Sequence, residues 1–352
     1  MNDNFFIDLA AAGLRMPIGT DLVLHEKPDA KLIREDGRRL GEVVAEAARR
    51  YRTPVAVPLM DLTIEKTTIL QRLGIPAEKI DSFHFTDPLK EDSLQALCQR
   101  LDEPATGRWK TTVDAVAYVA QQSDLLPVGM SIGPFSLMTK LIADPITAVF
   151  MAGSGVTAAE DPEVAAVEQA LDLGLRMILR SITTQLEAGA KAIIVCEPAA
   201  NQVYFSPKQL AEGTDIFERY VMTPNRHLQS LLADAGAKLI FHDCGELTES
   251  MVRQFTTLEP ALLSFGSSRV LWDDAALVPN HIVLFGNLPT KKFYSDDAIT
   301  PAAVVAMSRE LLTKMRATGH PFILASECDV LSVPGCERTI QDKVTAFMNC
   351  PP

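Results

Sequence analysis

Short apolar runs alternate with longer amphipathic segments along most of this 352-residue chain. The runs read as buried strands and occupy residues 54–59, 81–85, 126–132, 192–196, 238–241, 261–265, 281–285 and 321–325. The segments between them, such as residues 161–188 and 301–317, repeat apolar side chains at three- and four-residue spacing, which is typical of helices. Repeated strand–helix units of this length predict an α/β fold whose parallel sheet closes as a (β/α)8 TIM barrel. An open doubly wound sheet is the alternative, but no G-x-G-x-x-G or P-loop pattern follows the early strands.

The chain is predicted to form one domain over residues 1–352. Its residues are 47% hydrophobic, enough for one large core, and no low-complexity stretch separates two parts of the sequence. Residues 1–53 precede the first predicted strand and include a helix-like segment at residues 31–52. We therefore expect an N-terminal helical extension that packs on the barrel.

The negative net charge of the chain limits the kinds of molecule that can be its partners. Its formal net charge is -12 and its isoelectric point is near 5.0, so nucleic acid and anionic membrane surfaces would be repelled. Residues 1–16 have no basic start or long apolar run, and no later stretch could cross a bilayer. The six cysteines lack the dense spacing of a secreted disulfide scaffold. These features predict a cytoplasmic protein with free thiols and with a small molecule or a protein as its partner.

His242 and Cys244 directly follow the apolar run at residues 237–241, and Cys328 follows the run that ends at Ala325. One imidazole and two thiols at the ends of two buried strands match a three-ligand zinc set that leaves one coordination position open for a substrate. Such a site points to chemistry on a thiol. Cys336 could compete as the third ligand, but it follows a Pro-Gly turn rather than a strand.

Further polar and glycine residues fall at the carboxyl ends of predicted strands, which in a barrel share one mouth and carry the active site. They are Asp61 and Glu65, Gly133, Glu197, and Gly286 with Asn287. We expect Asp61, Glu197 and Asn287 to contribute to catalysis, and Gly133 and Gly286 to let the backbone approach a cofactor closely. Each position also has a simpler interpretation, because carboxylates cap helices or shape turns and a Gly-Asn pair suits a tight turn.

Four motifs, taken in order, resemble those of the uroporphyrinogen decarboxylase superfamily. They are Gly133-Pro134-Phe135-Ser136-Leu137, His242-Asp243-Cys244-Gly245, Gly286-Asn287-Leu288 and Ile323-Leu324-Ala325-Ser326-Glu327-Cys328. The closer resemblance is to its branch of zinc-dependent corrinoid methyltransferases, typified by methylcobamide:coenzyme M methyltransferase. It extends from about Pro54 to the C-terminus, and its most specific element is the H-x-C of residues 242–244 together with the later Cys328.

The resemblance implies a ligand set and a function. In that branch the residues that match His242, Cys244 and Cys328 bind zinc, and the zinc activates a thiol that takes a methyl group from methylated cobalamin. The implied cofactors are Zn²⁺ and methylcobalamin or another corrinoid, and the implied acceptor is a small-molecule thiol. A cobalamin-binding D-x-H-x-x-G pattern is absent from the sequence, so a separate corrinoid protein would dock transiently at the mouth. Lys291 and Lys292 would either neutralise an anionic acceptor, such as a sulfonate or carboxylate, or lie in a solvated loop.

Two alternative functions stay open. A lyase of the uroporphyrinogen decarboxylase type would act on a tetrapyrrole without metal, with Asp61 in the place of the catalytic aspartate. The arginine-rich signature that such enzymes carry near the N-terminus has only Arg15 to match it in residues 10–20. A noncatalytic relative would bind a corrinoid, tetrapyrrole or protein partner and keep zinc for structure. The fourth zinc ligand is also open, between Glu197, water and the substrate.

Overall fold

The computed structural model describes residues 4–351, and its centre is a sheet of eight parallel strands. The strands are β1 (Arg15–Ile18), β2 (Val55–Ala56), β3 (Leu126–Ile132), β4 (Ala192–Cys196), β5 (Lys238–Asp243), β6 (Leu262–Phe265), β7 (Val283–Leu288) and β8 (Phe322–Asp329). Their order in the sheet is β1-β8-β7-β6-β5-β4-β3-β2. This is the order of a barrel that is cut between β1 and β2, so the predicted TIM-barrel fold is confirmed.

One buried apolar cluster contains a side chain from every strand. Its members on the strands are Met16, Ile18, Val55, Val128, Met130, Ala192, Ile194, Cys196, Ile240, Leu262, Val283, Phe285, Ile323 and Ala325. Alternate residues of each strand meet in this cluster, as expected for the filled interior of a closed barrel. No ladder among the described residues joins β1 to β2. At that seam Thr20 Oγ1 donates to the carbonyl oxygen of Val57 at 2.7 Å, and Thr53 Oγ1 donates to Met16 Sδ at 3.3 Å.

Residues 81–85, which were predicted to form a strand, lie outside the sheet. Only Phe85 pairs with another segment, in a single bridge to Ile142. The neighbouring Asp81, Ser82 and His84 are exposed, because this segment is part of the long connection between β2 and β3. The strand prediction was therefore wrong, and the polar residues within it were the sign of that.

The first barrel strand lies instead within residues 1–53, where the sequence predicted a helical extension. β1 pairs in parallel with β8, matching Met16 with Ala325. It escaped prediction because it is only four residues long and includes an arginine and a proline. The expected helices are present around it, and Phe6 in the helix Phe5–Ala11 packs into the barrel interior from its amino-terminal end. The barrel therefore begins at β1 rather than at residue 54, while the single-domain division stays a prediction.

The α-helices of the described residues surround the barrel. They are α1 (Phe5–Ala11), α2 (Thr20–His25), α3 (Ala30–Ile33), α4 (Gly37–Arg50), α5 (Ile64–Leu73), α6 (Glu91–Leu101), α7 (Gly107–Gln122), α8 (Pro134–Leu141), α9 (Pro145–Gly153), α10 (Pro162–Glu187), α11 (Pro207–Ala211), α12 (Thr223–Asp234), α13 (Glu249–Thr256), α14 (Leu271–Asp274), α15 (Pro301–Thr318) and α16 (Glu337–Met348). Residues Ala77–Lys79 and Thr290–Lys292 form 3-10 turns, and Glu218–Met222 forms a π-helical turn.

The longest helix, α10, begins at a strong sequence signal. Asp161 accepts hydrogen bonds from the backbone N–H groups of Glu163 and Val164, and Pro162 occupies the first helical position. The apolar faces of the helices pack on the outer face of the barrel in the largest core cluster. Within residues 4–351, no helix combines the length and the apolar composition needed to cross a membrane.

Candidate metal centre

Three potential metal ligands converge at the mouth of the barrel from strands that are not neighbours. His242 lies near the end of β5, Cys244 directly follows that strand, and Cys328 lies near the end of β8. Their ligand atoms all lie within 4.8 Å of one another. Ligand atoms around a tetrahedral zinc, at bond lengths of about 2.0–2.3 Å, are separated by roughly 3–4 Å. The structure thus brings together the set that the sequence singled out, and Cys336 is not part of it.

The ring of His242 is aimed by the neighbouring strand. Its Nδ1 lies 2.9 Å from the Oγ of Ser264 on β6, and the two residues are paired directly across the β5–β6 ladder. Its Nε2 is buried and has no hydrogen-bond partner among the described residues. A buried nitrogen without a partner is uncommon and costs free energy. A hydrogen bond through one ring nitrogen, with the other left free, is the usual arrangement of a metal-binding histidine.

A β-bulge in β8 brings Cys328 to the mouth. Met16 of β1 pairs with Ala325 of β8, and Ile18 pairs with Asp329. Two residues of β1 are therefore matched by four residues of β8. Ser326 Oγ accepts the backbone N–H of Ile18 at 2.9 Å and anchors the extra residues. Ala325 faces the barrel interior, so regular alternation would turn Cys328 toward the helices. Because the bulge interrupts the alternation, Cys328 lies beside the other two ligands instead.

The two cysteine thiols titrate together. Contact with the Cys328 thiol and, less strongly, with His242 lowers the pKa of Cys244, against the opposing effect of burial. The same contact raises the pKa of Cys328, because two neighbouring sulfurs resist carrying a negative charge at the same time. A thiolate is the form of cysteine that binds a metal cation, so the lowered pKa of Cys244 favours the form that the site requires.

Lys291 adds a positive charge to the same group. Its ammonium interacts electrostatically with the sulfur of Cys244. Burial lowers the pKa of Lys291, but the charges of Cys244, Cys328 and Glu327 outweigh burial, and the pKa is raised. Both lysines are exposed, but the side chain of Lys292 makes no polar contact within the described part of the chain. Of the two lysines, only Lys291 is therefore placed to act on an anion at the site.

Glu197 is fully buried at the end of β4 and is bound within the protein. Its carboxylate accepts hydrogen bonds from the backbone N–H groups of Phe135 at 3.0 Å and Ser136 at 2.8 Å, and from Asn225 Nδ2 at 2.9 Å. Burial raises the pKa of this carboxyl, and the bonds from Asn225 and Ser136 oppose that effect. Two of the donors belong to the first turn of α8, so Glu197 satisfies amides that a helix start leaves unpaired. It is not part of the metal group, and its catalytic role stays a prediction.

Gly133 makes room for the carboxylate of Glu197. A Cβ atom at position 133 would lie 2.1 Å from Glu197 Cδ and 2.2 Å from its Cγ. The backbone angle φ of Gly133 is -79°, which any residue adopts, so space rather than conformation requires the glycine. The group that approaches Gly133 closely is the side chain of Glu197. Contact of Gly133 with a cofactor stays a prediction.

Asn287 holds the loop that follows β6. Its Nδ2 donates to the carbonyl oxygens of Gly266 at 2.9 Å and Arg269 at 2.8 Å. The preceding Gly286 has a φ of +133°, a backbone conformation that favours glycine. Both amide hydrogens of Asn287 are thus used within the protein. Its contact with a substrate, and that of Gly286 with a cofactor, stay predictions.

Asp61 is also bound within the protein. It forms an ion pair with Arg108 of α7, and its Oδ1 accepts hydrogen bonds from the backbone N–H of Thr63 at 3.1 Å and from its hydroxyl at 2.6 Å. Glu65 is buried in the layer between the barrel and α10, where it binds two serine hydroxyls. Neither carboxyl belongs to the metal group. The catalytic role of Asp61 stays a prediction.

Two residues at the end of β6, which the sequence did not single out, support the ligands. Ser264 orients the ring of His242, and it is a polar residue level with that histidine in an otherwise apolar strand. Gly266 lies so close to the turn after β5 that its Cβ would be 2.7 Å from the carbonyl oxygen of Cys244. A single polar residue in an apolar run was a feature that could have identified Ser264, whereas no feature of the sequence pointed to Gly266.

Glu327 joins two loops at the mouth and was likewise missed. Its Oε2 accepts the backbone N–H of Ser267 at 2.9 Å, and its Oε1 accepts the backbone N–H of Lys291 at 3.4 Å. The first loop follows β6 and the second follows β7. Glu327 is next to Cys328 in the chain, so one short segment both supplies a ligand and fixes its surroundings.

Fold and site together define a (β/α)8 barrel with a His-Cys-Cys group of metal-binding geometry at its mouth. The sequence profile of the family described as uroporphyrinogen decarboxylase (URO-D) matches residues 23–349. The chain therefore belongs to the uroporphyrinogen decarboxylase family, which is a family of enzymes. A search of curated proteins found no significant match to the sequence.

Two solved structures are similar to this chain at low sequence identity. A methyltransferase from Methanosarcina mazei has a TM-score of 0.64 and 15% identity, over 95% of this chain and 91% of that chain. A B12-independent methionine synthase from Shewanella sp. W3-18-1 has a TM-score of 0.45 and 13% identity, over 67% of this chain and 65% of that chain. At such identities the first similarity establishes a common barrel fold over nearly the whole chain.

Proposed function

We propose that this protein is a zinc-dependent methyltransferase. It moves a methyl group from a methylated corrinoid, carried by a separate protein, to a zinc-activated thiol or a related acceptor. The observation that carries the proposal is the buried Nε2 of His242, which has no partner among the described residues and belongs to a group with two cysteine sulfurs. Membership of the family and the fold shared with a methyltransferase from Methanosarcina mazei agree with it.

The donor set fits zinc. His242 would bind through Nε2, and Cys244 and Cys328 through their sulfurs, which leaves one tetrahedral position for the acceptor. When bound, zinc would keep the acceptor thiol in its thiolate form, which is the form that attacks a methyl group. Within residues 4–351 no fourth histidine, cysteine or acidic side chain joins the group. Glu197, the protein candidate for that position, uses its carboxylate to bind amides instead.

The barrel around the group decides from where the reactants approach. Beneath His242 the interior layer is buried and includes Ile194 and Ile240, while the buried Cys196 lies level with His242 on β4. These side chains fill the barrel and exclude water from below. The acceptor and the methyl donor therefore approach from the mouth, on the side where the ligands emerge from their strands.

A corrinoid protein would dock over that mouth. Within the described residues, the large apolar side chains that are more than a third exposed all follow the carboxyl end of a strand and precede the helix that returns from it. They are Leu32, Ile146, Phe150, Val203, Val270, Tyr294 and Leu331. Exposed apolar residues that gather on one side of a protein mark an interaction surface. This distribution supports a protein partner on the face where the methyl group must arrive.

The proposal places the protein in the cytoplasm. All six cysteines are free, and thiols stay reduced in that compartment. The net charge of -12 favours neither nucleic acid nor an anionic membrane as a partner. The expected partners are therefore the corrinoid protein and a small-molecule thiol.

The lyase alternative depends on Asp61. In a metal-free decarboxylase this carboxylate would face the tetrapyrrole, whereas here it is paired with Arg108 and bound by Thr63. Because Asp61 is held by these contacts, we rank decarboxylation below methyl transfer. A noncatalytic relative that keeps zinc for structure differs from the proposed enzyme only in lacking thiol-dependent methyl transfer, so activity separates those two.

The test is the metal content of untagged protein purified without chelators. We expect about one zinc per chain in the wild type and in Cys336→Ser, and a large loss of zinc in Cys328→Ser. The Cys336→Ser variant is the matched control because Cys336 lies outside the metal group. Demethylation of methylcobalamin by a panel of thiols should follow the zinc content.

A wild-type protein without zinc would overturn the proposal and favour the lyase. A protein that holds zinc but transfers no methyl group to any thiol would favour the noncatalytic relative.

A further inference from the structure

Met60 is held beside the barrel interior between two anchored neighbours. It lies in the loop after β2 and packs against the apolar cluster that fills the barrel. On one side of it the carbonyl oxygen of Val57 accepts a hydrogen bond from Thr20 Oγ1 at 2.7 Å, and on the other side Asp61 is paired with Arg108. The position of Met60 therefore follows from contacts that fix the loop both before and after it.

The thioether of Met60 reaches the metal group. Its Sδ lies 3.9 Å from the Sγ of Cys328. Two sulfurs bound to one tetrahedral zinc through bonds of about 2.3 Å are separated by about 3.8 Å. Met60 comes from the end of β2, whereas the three ligands come from the ends of β5 and β8, so it approaches the group from a third side of the mouth.

A thioether suits a ligand that is replaced during the reaction. Soft sulfur ligands, both thiolate and thioether, are suited to zinc. A thioether is uncharged and only a weak electron-pair donor, so an incoming thiolate can displace it. The methionine side chain is unbranched and has three rotatable bonds, so it can turn away without movement of the backbone.

We propose that Met60 closes the fourth position of the metal group in the resting protein and gives up that position when the acceptor binds. This inference rests on the proposed function and deepens it by naming the ligand that the acceptor replaces. On exchange the acceptor loses its S–H proton to the buffer and its sulfur takes the position, while the thioether of Met60 leaves chemically unchanged. Met60 thereby keeps water out of the position until a thiol arrives.

The test is X-ray absorption at the zinc edge on protein whose methionines are replaced by selenomethionine. Selenium scatters differently from the sulfur of cysteine and the nitrogen of histidine, so a selenium bound to zinc identifies a methionine ligand directly. Spectra are recorded before and after addition of 2-mercaptoethanol. The variants are Met60→Leu, which keeps the volume and removes the thioether, and Met130→Leu, which makes the same change at a buried methionine of the barrel interior.

We expect a selenium neighbour of zinc in the wild type and in Met130→Leu, slightly beyond the length of about 2.3 Å of a zinc–sulfur bond. Addition of the thiol should remove that neighbour in both proteins. Met60→Leu should keep its zinc and show no selenium neighbour. In calorimetric titration it should bind 2-mercaptoethanol more tightly than the wild type, by about tenfold if the thioether fills the position about nine-tenths of the time.

A resting wild type that holds zinc without a selenium neighbour would overturn the inference, and this outcome requires no variant. So would a selenium neighbour that stays beside a bound thiol, because Met60 would then be a permanent ligand, or one that remains in Met60→Leu. Weaker thiol binding by Met60→Leu would contradict the inference as well, since Met60 would then contact the acceptor instead of holding its place. A wild type that holds no zinc, or holds zinc and binds no thiol, contradicts the proposed function itself.

Discussion

His242 and Ser264 face each other across the β5–β6 ladder, with the ring Nδ1 2.9 Å from the serine Oγ. The contact fixes the ring so that Nε2 is presented to the metal group. Hydrogen bonds of this kind to a metal-binding histidine tune both its orientation and its basicity. The serine would therefore contribute to metal binding without touching the metal.

We predict that Ser264→Ala lowers zinc affinity by about ten- to a hundredfold, the range found when such outer contacts are removed. The measurement is zinc competition with a chelator of known affinity. Ser308→Ala is the control, because it removes a buried hydroxyl on α15 that bonds to Val304 of the same helix and lies outside the metal group. If Ser264→Ala binds zinc as tightly as Ser308→Ala, the ring is positioned by other contacts.

Gly133→Ala should destabilise the protein because the new Cβ would lie 2.1 Å from Glu197 Cδ. The carboxylate would have to move and would lose its bonds to the amides of Phe135 and Ser136. Overpacking of a buried site costs about 1–3 kcal/mol, and a lost charged hydrogen bond adds to that. Denaturant unfolding of the zinc-loaded protein measures the change.

The control for Gly133→Ala is Gly174→Ala on α10, where the nearest atom to the new Cβ is the flexible Leu137 Cδ2 at 3.3 Å. Alanine also favours the helix more than glycine does. This substitution should therefore have a smaller effect than Gly133→Ala. Equal losses in the two variants would contradict the role assigned to the space beside Glu197.

Glu65 should make stability depend on pH. Its Oε1 accepts hydrogen bonds from Ser131 at 2.9 Å and Ser181 at 3.0 Å, and burial raises its pKa from 4.5 to about 7. The folded chain thus holds this proton more tightly than the unfolded chain. The stability that protonated Glu65 contributes to the folded state is fully present below about pH 4.5 and is lost as the pH rises through about 7.

The neutral variant Glu65→Gln should remove this loss. Relative to wild type, its unfolding free energy should rise between pH 5 and pH 8 by at most about 3 kcal/mol, since one pKa unit corresponds to about 1.4 kcal/mol. The control Glu187→Gln removes an exposed carboxylate at the end of α10 and should track the wild type. A difference between Glu65→Gln and wild type that does not change with pH would show that Glu65 stays in one charge state.

The sequence was enough to predict which three side chains would lie together at the mouth but not how they come together. His242 and Cys244 lie at the end of a regular apolar strand. The alternation of side chains along that strand is enough to predict that both face the mouth of the barrel. Cys328 was identified by its position after a strand and by resemblance. Strand alternation would have turned it away from the mouth, and the bulge that corrects this depends on pairing with β1.

The seven strands that the sequence located are apolar runs, whereas β1 is not. Its four residues form a strand because β8 is already in place beside them, and such tertiary support leaves no local signal. The ion pair between Asp61 and Arg108 was hidden for the same reason, since it joins a loop to a helix that lies well beyond it in the chain. Contacts between distant segments decided both of these points.

The metal group has a mechanical consequence for the barrel. β5 and β8 are three places apart in the strand order, and the ligands at their ends would be tied together by one ion. β8 also holds β1, which borders the seam where no ladder is present among the described residues. An ion at the mouth would therefore brace the arc of four strands from β5 to β8, and through β8 it would steady the edge of the barrel that β1 forms.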